Sequence, residues 1–110
     1  MKKTVKYNKL IRDKIPEIIK KSGWTPFIKT LDKKRFPKEI KKKILEEGKE
    51  LMKAKNKKDI IDEIVDIQEL LDILVFEIKT TKTEIKKQQK IKNKKRGGFK
   101  KRLFLIKQKK

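Results

Sequence analysis

The chain has 110 residues, enough for one domain with a modest core, and carries 36 Lys and Arg against 15 Asp and Glu, a formal charge of +21. It contains no cysteine and no histidine, which excludes disulfides, thiol nucleophiles, zinc sites built on Cys or His, and a histidine general base. Any chemistry must run on carboxylates, lysines, arginines, hydroxyls or a bound metal.

Residues 7–14, Tyr-Asn-Lys-Leu-Ile-Arg-Asp-Lys, read as an irregular lead-in that gathers Lys9, Arg12 and Lys14. Pro16 suits the first turn of a short helix running to about Lys21, which Ser22-Gly23 ends. Alternation between Trp24 and Leu31 predicts a short strand. Asp32 is placed as an N-cap, and Pro37 opens a long helix to about Lys53. Asn56 to Lys58 form a turn, and a third helix starts at Asp59 or the residue before it and runs to about Lys79. Thr80 to Thr83 interrupt the helical pattern; Lys82 to Lys95 make a weakly apolar fourth helix with Ile85 and Ile91 as its large hydrophobes, its cationic end reading alternatively as disorder. Arg96-Gly97-Gly98-Phe99 breaks this helix. The tail Arg102-Leu103-Phe104-Leu105-Ile106 has β character but is too short to stand alone. The expected fold is therefore mainly α: one domain spanning 1–110, a bundle of about four helices, with a two-stranded β patch pairing the segment near 26–31 with the tail near 101–106.

Two acidic clusters stand out in this cationic chain, Glu46-Glu47-x-x-Glu50 and Glu63-x-x-Asp66. Projected at roughly 100° per residue, Ile40, Ile44, Gly48 and Leu51 form one stripe, with Glu47 inside it and Glu50 at its edge. Ile60, Ile64, Ile67, Leu71 and Leu74 form the second, with Glu63 inside and Asp66 at the edge. Residues three apart on a helix are neighbours, so packing of the two stripes brings four carboxylates together. Like charges partly withdrawn from water are costly unless neutralised, and a hard divalent cation does this with open positions left for phosphates. The competing reading pairs these acids with surface lysines.

Sixteen isoleucines can supply a core, yet the third helix carries Ile61, Val65 and Ile73 beyond its stripe, which predicts cover on more than one side and, most simply, self-association. The net charge first suggests a nucleic-acid partner. Only four of the cations are arginine, however, which favours solvated lysine faces over a nucleic-acid footprint. No apolar run approaches the length of a membrane span, and the stretch after Met1-Lys2-Lys3 is too polar for a signal peptide, so the expectation is a cytoplasmic protein without a membrane partner.

With these motifs placed, the chain resembles the all-α nucleoside triphosphate pyrophosphatase superfamily, specifically MazG-like, phosphoribosyl-ATP pyrophosphohydrolase-like proteins. The resemblance covers nearly the whole chain. It rests on the Glu46-Glu47-x-x-Glu50 plus Glu63-x-x-Asp66 signature, on the lead-in Tyr7 to Glu17, and on the closing Arg96-Gly97-Gly98-Phe99. It implies Mg²⁺-dependent hydrolysis of a nucleoside triphosphate or related nucleotide between the α and β phosphates, with Mn²⁺ as a substitute ion, in nucleotide-pool cleaning by a homodimer or higher homo-oligomer. Glu47, Glu50, Glu63 and Asp66 are assigned to metal, and Glu46 with Glu47 to catalysis, Glu46 as an outer-sphere or water-activating base. Gly48 and Lys49 depart from the apolar and acidic residues expected inside the first motif.

Phosphate contacts call for cations that do not block the metal: Lys9, Arg12 and Lys14 at one end, Lys95 and Arg96 at the other, with the Gly97-Gly98 backbone able to approach a phosphate. Structural alternatives stand beside these roles, an Arg12-Asp13 ion pair and a simple chain turn at Gly97-Gly98. Asn8 serves either as a base or ribose contact or as a local cap. Trp24 and Phe27 serve as core or as a stacking surface, and Glu69 as an outer-sphere acid or an exposed helix residue. Two further function classes compete, a non-enzymatic basic nucleic-acid-binding module on the same fold and a catalytically silent oligomeric scaffold.

Overall fold

Local signals decide where each helix of this chain starts and stops. A computed structural model describes residues 3–110; residues 1 and 2, which open the expected domain, lie outside that description. Four helices follow in order: α1 (Ile15–Lys21), α2 (Phe36–Lys53), α3 (Lys57–Glu77) and α4 (Lys82–Arg96).

Pro16 sits in the first turn of α1, where its missing N–H has no partner to lose. The helix ends in a Schellman motif: Gly23 takes a left-handed φ of 93°, and Trp24 N–H donates back to the Ile19 carbonyl at 3.2 Å. α2 begins at Phe36, one residue before Pro37. Asp32 stands one turn too early to be its N-cap; its carboxylate instead accepts from the Arg35 N–H at 2.7 Å and shapes the turn that enters the helix. Asn56 caps α3 by accepting from Asp59 N–H at 2.9 Å, so that helix starts at Lys57, ahead of the expected Lys58 or Asp59. Thr81 caps α4 in the same way, accepting from Glu84 N–H at 3.1 Å.

α2 and α3 form the one extensive helix pair among the described residues. Ile40, at 0% exposure, is the single buried hydrophobe there. Ile44, Gly48 and Leu51 on α2, and Ile60, Ile67, Leu70 and Leu74 on α3, are partly covered. The expected α3 stripe is rotated: Ile64 and Leu71 are turned half out to solvent and Leu70 is covered in their place, while Glu63 lies on the covered side as expected. The whole extends over 66 × 34 × 29 Å with a radius of gyration of 18.9 Å, against about 13 Å for a compact chain of this length. Every residue from Thr81 to Lys110 is exposed, so α4 and the tail form an arm that stands off the α2–α3 pair.

The expected β patch is absent, since no strand occurs among the described residues. Residues 26–31 and 101–106 remain unpaired, with Phe27 95% exposed and the tail residues Leu103 to Ile106 74–89% exposed. An isolated two-stranded ribbon is marginal without a further layer to cover it. Here both segments are also cationic, with Lys29 in one and Lys101 and Arg102 in the other, and like charges oppose strand pairing. No helix of the described residues is long and apolar enough to cross a membrane.

Because Ile40 is the one hydrophobe of the described residues taken fully out of water, Ile40→Ala is expected to cost about 2–5 kcal/mol. Met52→Ala, at a position 87% exposed, is expected to fall within about 0.5 kcal/mol of the parent. Urea unfolding followed by circular dichroism measures both, and equal effects would place the core elsewhere.

Candidate functional site

Packing of α3 against α2 turns Glu63 toward Glu47. One carboxylate oxygen from each of Glu47, Glu63 and Asp66 lies within 4.8 Å of the others, and all three side chains are partly covered. The spacing follows from the helices: Glu63 and Asp66 occupy adjacent turns of α3, and Glu47 enters from the α2 stripe between Ile44 and Leu51.

Cations attend two of the three acids. The Arg12 guanidinium, from the irregular lead-in, donates to Asp66 Oδ1 at 2.7 Å. The Asp66 hydrogen bond raises the pKa of Arg12, and the charges of Asp66, Glu69 and Glu47 act in the same direction. Lys43 Nζ lies 3.3 Å from Glu46 and 3.8 Å from Glu47, and its side chain is only 17% exposed. Glu63 receives no such partner. Its Oε2 is buried without a hydrogen bond, because the nearby Glu47 carboxylate can donate nothing unless one of the two carries a proton. Proximity to Glu47 is the largest cause of a Glu63 pKa pushed up to about 7, followed by withdrawal from water and by the charges of Glu47, Asp66 and Asp62.

The remaining sequence-predicted residues divide between two regions. Glu50 is outside the cluster; its side chain is 51% exposed and lies 3.8 Å from Lys53 Nζ. One turn separates it from Glu47, but the rotation that buries Glu47 carries Glu50 to the rim. Asn8 and Lys9 line an open depression of about 340 Å³ together with Tyr7, Leu10, Glu39, Lys42, Lys43 and Glu46. Asn8 adopts φ 48°, and the Lys9 ammonium stands 5.2 Å from the Tyr7 ring centroid. Lys14 is the N-cap residue of α1 and is exposed. Lys95 and Arg96 occupy the exposed last turn of α4, on the arm rather than in the α2–α3 pair. Trp24 and Phe27 are exposed and form no core.

Two features of the site escape the sequence reading. Arg12 is paired with Asp66, 54 residues away, and not with its neighbour Asp13; no local spacing signals such a contact. The second is Lys43, for which a signal exists: it precedes Glu46 by three residues and Glu47 by four on one helix. Comparison with family models, curated proteins and solved structures gave no match.

The raised Glu63 pKa has a definite sign. In the unfolded chain this acid ionises near 4.5, whereas in the fold it holds its proton to about 7. Between these values the native state binds the extra proton, so the Glu63 contribution to stability is present below pH 4.5 and is lost as pH rises toward 7. Thermal unfolding at a series of pH values is therefore expected to show the parent losing melting temperature over this window relative to Glu63→Gln. Parallel curves would mean that Glu63 does not titrate abnormally.

Proposed function

We propose that the chain is a divalent-cation-dependent nucleotide pyrophosphohydrolase with a MazG-like helical arrangement, acting on a nucleoside triphosphate or related nucleotide to release the monophosphate and pyrophosphate. The observation that carries this reading is the convergence of Glu47, Glu63 and Asp66 within 4.8 Å, with Glu63 Oε2 buried and unpartnered. A carboxylate oxygen without a donor of its own, here on Glu63, beside two further carboxylates suits Mg²⁺, with Mn²⁺ as a substitute. These three residues would hold the ion, and Glu50, one turn along α2, would join only through a shift of its exposed side chain. When bound, the ion supplies charge neutralisation of a phosphate and acidification of a water.

The chain's own groups then divide the remaining work. Arg12 fixes the Asp66 carboxylate and presents a fixed cation beside the cluster. Glu46, held by Lys43 at the rim of the depression, is placed to accept a proton from an attacking water. Asn8, Lys9 and Lys42 line that depression and supply cations and an amide for the phosphates and sugar. Lys14 adds to the field of the lead-in. Lys95 and Arg96 enter only if an arm is brought to the site.

Release of pyrophosphate from a panel of canonical and modified nucleoside triphosphates, with and without Mg²⁺, tests the proposal. Glu63→Gln and Glu47→Gln are expected to lower turnover by more than the ~10–100-fold typical of groups that only support metal ligands, and Glu50→Gln by less than either. Mg²⁺ is also expected to raise the melting temperature of the parent and not of Glu63→Gln. A folded parent with no metal-dependent release and no metal stabilisation, but with nucleic-acid binding that falls steeply with salt, would replace the enzyme with the basic binding module.

A further inference from the structure

Charge in this chain is segregated by helix. α3 carries seven acids, nearly half of the total, against only Lys57 and Lys58, whereas residues 81–110 carry fourteen Lys and Arg against the single acid Glu84. The side of α3 away from α2 is both apolar and acidic: Ile61, Ile64, Val65 and Phe76 are 49–74% exposed there, and Asp62 and Glu69 have no ion-pair partner among the described residues. The arm is its complement. It is cationic, its Ile85 and Ile91 are 44% and 50% exposed, and Phe99 and the tail hydrophobes are almost fully so.

The spacings agree as well. On α3, Asp62, Val65 and Glu69 fall at intervals of three and four residues along one side. On α4, read backwards, Lys94, Ile91 and Lys87 fall at intervals of three and four. An antiparallel pairing of the two helices therefore opposes acid to lysine, Val65 to Ile91, and acid to lysine.

We propose that the arm of one copy docks antiparallel on the outer face of α3 in a second copy, the exchange being reciprocal in a homodimer. Packing of α3 on a second α3 would set acid against acid, which charge disfavours. The chain's own arm leaves α3 through the short Ile78–Thr81 link and touches it through the Lys82–Asp72 ion pair at 3.2 Å; beyond that base Ile85, Ile91 and the cationic face stay exposed, so the arm's apolar side is not seated on its own α3. Apolar burial along α3, which spans about 31 Å, supplies the affinity, and reciprocity doubles the contact. The ion pairs select orientation and partner, since exposed pairs contribute little energy singly. This inference is independent of the nucleotide reading.

Light scattering after size exclusion, with the full chain at tens of micromolar, tests it through two charge-reversed variants. Asp62→Lys with Glu69→Lys reverses the α3 face; Lys87→Glu with Lys94→Glu reverses the arm. The parent is expected to be a dimer, each variant alone a monomer, and an equimolar mixture of the two a heterodimer, because both exchanged contacts become complementary again. Restoration in the mixture also establishes that both variants are folded. A monomeric parent would overturn the proposal in favour of an arm that closes on its own chain or binds a separate polyanion. Variants that remain dimeric alone would assign the interface to another surface, and a mixture that stays monomeric would rule out reciprocal exchange.

Discussion

The contact between α2 and α3 is the constraint from which the rest of this molecule follows. Among the described residues a hydrophobe is taken fully out of water only where these helices meet, at Ile40, and the same meeting turns Glu63 toward Glu47. Core formation and carboxylate convergence are thus one event. An apolar residue at position 63 would suit the packing alone, since a partly buried carboxylate facing another is costly unless a proton or a cation intervenes. Arg12 relieves Asp66 and Lys43 relieves Glu47, so the unrelieved charge is concentrated on Glu63.

Much of this architecture was legible in the sequence because its signals are local. Pro16 and Pro37 marked helix starts, Ser22-Gly23 marked a helix end, and both acidic clusters were placed on facing helices. What the sequence did not settle was rotation. The expected α3 stripe ran through Ile60, Ile64, Ile67, Leu71 and Leu74 with Glu63 inside it, whereas the covered face keeps Ile60, Glu63, Ile67 and Leu74 but takes Leu70 in place of Ile64 and Leu71, a turn of about 40°, less than half of one residue step. A helix that is apolar on most of its circumference does not announce which side packs. Here the partner decides, because α2 offers its own covered stripe of Ile40, Ile44 and Leu51, and the face of α3 that meets it includes Glu63.

The tail was misread for a related reason. Leu103 to Ile106 have high β propensity, but β propensity expresses fit to a half-buried pleated surface and not a backbone preference that acts alone. The chain provides no such surface beside the tail, and lysines on both candidate segments oppose their pairing. The Arg12–Asp66 contact lay beyond the sequence on other grounds: its partners are 54 residues apart, and either could as well have paired with a neighbour such as Asp13 or Lys43.

A chain of formal charge +21 that gathers its acids on two helices sets long-range and short-range electrostatics against each other. At a distance the lysines dominate, and any phosphate-bearing ligand is drawn inward, the more strongly at low ionic strength. Within a few ångströms of Glu63 three acids converge and Arg12 and Lys43 offset only part of their charge, which leaves a spot better suited to a divalent cation than to a phosphate. A nucleotide carried with its own Mg²⁺ satisfies both fields at once, the anion drawn by the chain as a whole and the cation by the cluster. A duplex nucleic acid satisfies only the first. The placement of the acids at the helix contact, and not the abundance of lysine, is therefore what the proposed metal–nucleotide reading rests on.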